Sequence, residues 1–111
     1  MGLSTHVLDL VTGMPAANVE VIASIGGDRI GTFRTDADGR CRDMQGNNPL
    51  VAGSYSLMFK VGTYLSATHA SVSDPPFFDE VLIGFVISDT ERHYHVPLLI
   101  SPYGYSTYRG S

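Results

Sequence analysis

The chain has 111 residues, a formal net charge of −4 and a single cysteine. That length predicts one domain, residues 1–111, able to build a core without staples. Scattered Lys and Arg give no basic stripe for nucleic acid; neither a membrane-length apolar run nor a signal-peptide pattern is present, which predicts no membrane partner and a cytoplasmic home, or a periplasmic one if a leader has been removed.

The elements are nearly all strands. Residues 4–11 are apolar and β-branched, and Gly13-Met14-Pro15 breaks them. Residues 18–25 alternate, with Val19, Val21 and Ala23 on one face. Gly26-Gly27-Asp28 turns the chain into a strand at 29–35. "TDADGR" follows as a polar turn, with Gly39 at a position that suits left-handed backbone. Residues 53–61 alternate again, placing Tyr55, Leu57 and Phe59 opposite Ser54, Ser56 and Met58. Only residues 64–71 have the composition of a short helix, stopped by Asp74-Pro75-Pro76. The continuous apolar run at 81–87 predicts a strand covered on both faces or one at an interface. Residues 93–101 and 105–108 form a closing hairpin around Ser101-Pro102-Tyr103-Gly104. Seven or eight short strands with regular turns predict an all-β sandwich.

Strand alternation sorts the candidate chemistry. His6, Leu8 and Leu10 share a face, as do His93, His95, Pro97 and Leu99. Ser106 and Tyr108 share a face of the last strand. Each histidine alone is more often structural than catalytic. The i, i+2 pair His93/His95 has the spacing of a strand-borne metal site, but no Cys or carboxylate cluster completes a ligand set, so a metal-free site is expected. No G-x-S-x-G elbow, phosphate loop or dinucleotide fingerprint occurs. Cys41 excludes an internal disulfide. Arg40 and Arg42 flank it and could lower its pKa, although a small residue at a turn or strand start is the better reading. Spacing alone leaves Arg40 a solvated loop residue.

Three segments carry a resemblance. "LSTHVLDLVTGMPAANVEV", "TDADGR" and "HYHVPLLISPYGYSTYRGS" strongly resemble the 5-hydroxyisourate hydrolases, the enzyme branch of the transthyretin family, in the same order and over nearly the whole chain. The resemblance implies a transthyretin-like β-sandwich of two antiparallel four-stranded sheets with one short helix. It further implies a homotetramer, a dimer of dimers, enclosing a channel faced by His6, Leu8, His95, Pro97, Leu99, Ser106 and Tyr108. The implied reaction is amide hydrolysis that opens the six-membered ring of 5-hydroxyisourate in urate catabolism, without a cofactor, to give 2-oxo-4-hydroxy-4-carboxy-5-ureidoimidazoline. His6, Arg40, His95 and Ser111 are the implied catalytic residues. Leu8, Pro97, Tyr108, Arg109 and Gly110 are the implied substrate-binding ones, with the terminal Tyr108-Arg109-Gly110-Ser111 folding into the site. A carrier of a small aromatic ligand is the alternative. The stretch "SATHASVSD" departs from the family pattern.

Overall fold

The computed structural model describes residues 2–69 and 73–110. Strand β1 (Leu3–Asp9) is central to one sheet. Its odd residues Leu3, Thr5, Val7 and Asp9 are buried, while His6 and Leu8 on the even face are half-covered. Strands β8 (Tyr94–His95) and β9 (Leu98–Ser101) run parallel to β1 along one side, in a single register that sets Ser4 beside His95 and Leu8 beside Leu99. Pro97, with no N–H for a ladder, stands in the gap between them. Strands β5 (Arg40–Cys41) and β2 (Met14–Pro15) pair antiparallel with β1 on its other side. Strand β10 (Gly104–Thr107) closes the outer edge as a hairpin with β9. The sheet is therefore four strand positions wide, but it is mixed and assembled from short pieces, where four antiparallel strands were expected.

The second sheet is antiparallel, in the order β4 (Asp28–Arg34), β3 (Glu20–Ile25), β6 (Gly53–Phe59), β7 (Val81–Ile87). The predicted alternation holds in β3 and β6: Val21, Ala23, Tyr55, Leu57 and Phe59 are buried. They meet Val7, Leu98 and Ile100 of the first sheet in one core. Strand β7 is not covered on both faces within the chain. Leu82 is 57% and Val86 67% exposed, so its apolar run presents one bare face at a sheet edge.

Helix α1 (Val61–Thr68) starts three residues earlier than the composition predicts. Phe59 ends β6 inside the core, and Val61 and Leu65, one helical turn apart, bury the helix against that core. Gly62 lies where no side chain fits: a Cβ would stand 2.3 Å from the Asp79 Oδ1. The end of the predicted helix, at 70–71, lies outside the described residues. Among the described residues, no helix is long and apolar enough to cross a membrane.

Among the described residues, the buried side chains of Ser4, Thr5, Asp9 and Thr35 are all hydrogen-bonded. The Thr5 hydroxyl donates to the Val96 carbonyl at 2.6 Å. Asp9 accepts from the Val11 N–H at 2.9 Å and the Tyr64 hydroxyl at 2.7 Å, and its Oδ2 is 2.6 Å from His69 Nε2. Burial alone would raise the Asp9 carboxyl, but the Tyr64, His69 and Val11 hydrogen bonds outweigh it and hold Asp9 below its ordinary value. His69, part of the unusual "SATHASVSD" stretch, ties the end of α1 to β1.

A depressed folded-state carboxyl stabilises the fold fully above its unfolded value of 3.8, and that stability is lost as pH falls through the folded value. Urea unfolding from pH 7 to pH 2 should therefore show a loss of stability below about pH 4. Asp9→Asn should be less stable at pH 7 by about 2–3 kcal/mol, having lost hydrogen bonds to a buried charge, and its acid limb should be flatter.

Candidate active site

The "TDADGR" turn delivers Arg40. The Asp36 Oδ1 accepts from the Asp38 and Arg40 N–H groups at 2.9 and 3.0 Å. Its other oxygen accepts from the Arg42 guanidinium at 3.1 Å. These bonds, the Arg40 N–H first, hold the Asp36 carboxyl below its ordinary value. Gly39 has φ +74°, as its position in the turn predicts. A Cβ there would sit 2.5 Å from the Val7 carbonyl oxygen, so only glycine lets the turn approach β1. The Val7 N–H then donates to the Gly39 carbonyl at 2.7 Å, and β5 places Arg40 directly opposite His6.

On the other side of β1, the parallel register places His95 opposite Ser4. The Ser4 hydroxyl lies 2.8 Å from His95 Nδ1 and 2.9 Å from His93 Nε2. The chain past β10 doubles back over this point. The Gly110 N–H donates to the His95 carbonyl at 2.8 Å. A side chain at Gly110 would stand 2.5 Å from His95 Cδ2, so the approach needs glycine. The result is an open cleft of about 520 Å³ lined by Ser4, Arg40, His93, His95, Tyr108 and Gly110 among others.

The cleft is cationic and partly desolvated. Burial lowers the His95 pKa, and the Arg40 guanidinium and the His6 and His93 imidazoles lower it further. Its neutral form is thereby favoured. His6 has a buried Nε2 with no hydrogen-bond partner among the described residues. A buried unpaired nitrogen costs about 1–3 kcal/mol, so it is an unsatisfied group available for a bonding partner. Among the described residues no group of three His, Cys, Asp or Glu side chains is arranged to hold a metal ion.

Of the residues the sequence singled out, Arg40, His95, Tyr108 and Gly110 share the cleft. His6 adjoins it through its pairing with Arg40. Leu8 pairs with Leu99 farther along the same face, and Pro97 is buried at the β8/β9 gap; neither lines the cleft. Arg109 is placed elsewhere: its guanidinium lies over the Tyr94 ring, 4.9 Å from the centroid, a cation–π contact on the strand face opposite His95. Ser111 lies outside the described residues. Cys41 corrects one possibility. It is buried, and burial with the nearby Asp36 charge pushes its thiol up to about 11, so the flanking arginines do not activate it. Sequence reasoning missed Ser4. Its place two residues before His6, on the same strand face, was the available signal.

A profile described as the HIUase/Transthyretin family matches residues 3–110. The 5-hydroxyisourate hydrolase of Caulobacter vibrioides is 50% identical over 114 residues, covering 99% of this chain and 98% of that protein. The solved structure of Klebsiella pneumoniae 5-hydroxyisourate hydrolase superposes with a TM-score of 0.85 at 39% identity, covering both chains fully (100%). Sea bream transthyretin in complex with thyroxine superposes at 0.87 with 30% identity, over 99% of this chain and 95% of that one.

The contact between Gly110 and His95 can be tested without any ligand. Gly110→Ala should shift the His95 ring resonances in NMR spectra, because ring or backbone must yield to the new methyl. The resonances of His69, bonded to Asp9 far along β1, should stay in place.

Proposed function

Because the chain belongs to the HIUase/Transthyretin family, we propose that it is a hydrolase of 5-hydroxyisourate, opening the six-membered ring by amide hydrolysis to give 2-oxo-4-hydroxy-4-carboxy-5-ureidoimidazoline. The relatives named for that activity match over essentially the full chain. The observation that carries the mechanism is a neutral-leaning His95 sharing a cleft with the Arg40 guanidinium.

Amide hydrolysis needs two things that these residues supply. Water becomes a competent nucleophile when a base takes its proton in the transition state, and an imidazole titrates in the right range. Attack then builds negative charge on the carbonyl oxygen, which a fixed cationic donor stabilises. His95 is the base. Arg40 presents a planar fork to the substrate's carbonyl oxygens, which a lysine would not reproduce. The unpaired Nε2 of His6 bonds to substrate or to the attacking water. Tyr108 and Gly110 wall the cleft on the side of the segment that carries the family's Tyr108-Arg109-Gly110-Ser111 signature. The reading as a carrier of a small aromatic ligand loses ground to this arrangement, since an apolar ligand gains nothing from desolvating two imidazoles and a guanidinium.

The active assembly is a homotetramer. Strands β7 and β10 end their sheets and border one apolar cleft between them, lined by Phe85, Val86, Val96 and Thr107 among others. Leu82, Val86 and Tyr105 are exposed along these edges. Bare strand edges with apolar side chains call for pairing. Pairing β7 and β10 with a second copy, and packing the Leu8/Leu99 face on another pair, encloses the His6, Arg40 and His95 face in a channel. Light scattering on the eluted protein should give four times the chain mass of 12.0 kDa; a monomer would overturn the assembly.

Loss of 5-hydroxyisourate made freshly from urate should be much faster with the protein than without it. Arg40→Ala should lower kcat by about 10²–10³, and His95→Ala by about 10²–10⁴; variants with near wild-type rates would overturn these assignments. Because the folded His95 value lies below 6.5, the base stays neutral on mild acidification. The acid limb of kcat/KM should accordingly fall below pH 6.5, and a limb centred above it would contradict the role of His95.

A further inference from the structure

Ser4 has no part in the mechanism above, yet its hydroxyl bridges two imidazoles. Oγ stands 2.8 Å from His95 Nδ1 and 2.9 Å from His93 Nε2. Ser4 is only 8% exposed, and the register of β1 with β8 fixes it there. A hydroxyl has one proton to give. Between two neutral rings it donates to one and accepts from the other. In the first arrangement His95 donates from Nδ1 to Ser4, and Ser4 donates to His93 Nε2. His93 then carries its own proton on Nδ1, and His95 Nε2 is a bare lone pair. In the second, His93 donates from Nε2 to Ser4, Ser4 donates to His95 Nδ1, and His95 carries its proton on Nε2. The two rings are thus locked together, both Nδ1–H or both Nε2–H.

We propose that Ser4 is a positioning residue that couples His95 to His93, so that one nitrogen of His95 serves first as base and then as acid. The proposal rests on the assignment of His95 as the base. As Nε2 takes a proton from the attacking water, the Nδ1 proton passes to Ser4 Oγ and the Ser4 proton passes to His93 Nε2. The positive charge arrives on His93, which is exposed and releases its Nδ1 proton to solvent. His95 remains neutral with a proton on Nε2, and gives that proton to the departing ring nitrogen. The shifts then reverse, and His93 takes a proton back from solvent. One proton leaves the water and one reaches the leaving group, so the count closes.

The groups around His95 give this transfer a reason. Arg40, His6 and His93 all bear on it, and Arg42 and Asp43 line the same cleft. A lasting charge on His95 would be held in a partly buried place against the Arg40 guanidinium. Passing it to His93 puts it in water, where a charge costs least.

The test uses Ser4→Ala and Ser4→Thr in the full chain, with ¹⁵N-histidine NMR beside the decay assay. In the wild type, the ring nitrogen shifts should report the same tautomer for His93 and His95. Ser4→Ala should uncouple the two rings, so that they titrate independently, and kcat should fall roughly tenfold or more, part of the 10²–10⁴ that acid–base catalysis supplies, with KM little changed. Ser4→Thr, which keeps the hydroxyl, should restore both. Opposite tautomers in the wild type would overturn the proposal, and that reading needs no variant to fold. So would Ser4→Ala with kcat within about twofold of wild type, or with unaltered ring titrations. The spectra need no substrate, so a protein with coupled rings and no turnover would refute the function and leave the coupling standing.

Discussion

One register determines where everything else lies. Strand β1 is hydrogen-bonded along one side to β8 and β9 and along the other to β5 and β2. Its odd residues anchor the core, and its even residues carry Ser4 and His6 outward. Because side chains alternate strictly, sliding β1 by one residue against β8 would exchange the two faces. Leu3 and Val7, both fully buried, would then have to face outward. The apolar core thus enforces the alignment that puts Ser4 beside His95 and His6 beside Arg40. Stability and site geometry rest on the same ladder.

The two glycines at the site act by the same logic of close approach. Gly39 brings the Arg40 turn against β1, and Gly110 brings the terminal segment against His95. Each removes a Cβ where neighbouring atoms leave no room for one. A guanidinium from the start of β5 and a backbone amide from the segment past β10 therefore reach a strand-borne imidazole by close approach alone.

Much of this was legible in the amino-acid order, for identifiable reasons. Alternation is a local property, so the shared faces in β3 and β6 and the face common to His6 and Leu8 could be read directly. The "DGR" turn was legible because Asp36 and Gly39 each have a specific backbone task. The start of α1 was not, since Val61 continues the apolar alternation of β6 and only tertiary burial decides between strand and helix there. Nor was the mixed first sheet, because parallel pairing joins residues about ninety positions apart and leaves no short-range pattern. Composition placed arginines around Cys41, but not the desolvation that outweighs them. The Ser4 bridge was hidden for a related reason: it needs the register, and one serine among small polar residues carries no periodic signal.

Residues 108–110 straddle β8. Tyr108 and Gly110 face the imidazole cleft, while Arg109 between them reaches around to the Tyr94 ring, whose own hydroxyl accepts from the Asp89 N–H. That arrangement makes the segment a strap between the buried Tyr94 ring, which the exposed Arg109 covers, and the imidazole cleft. A change in the packing around Tyr94 would thereby be felt at the wall of the imidazole cleft.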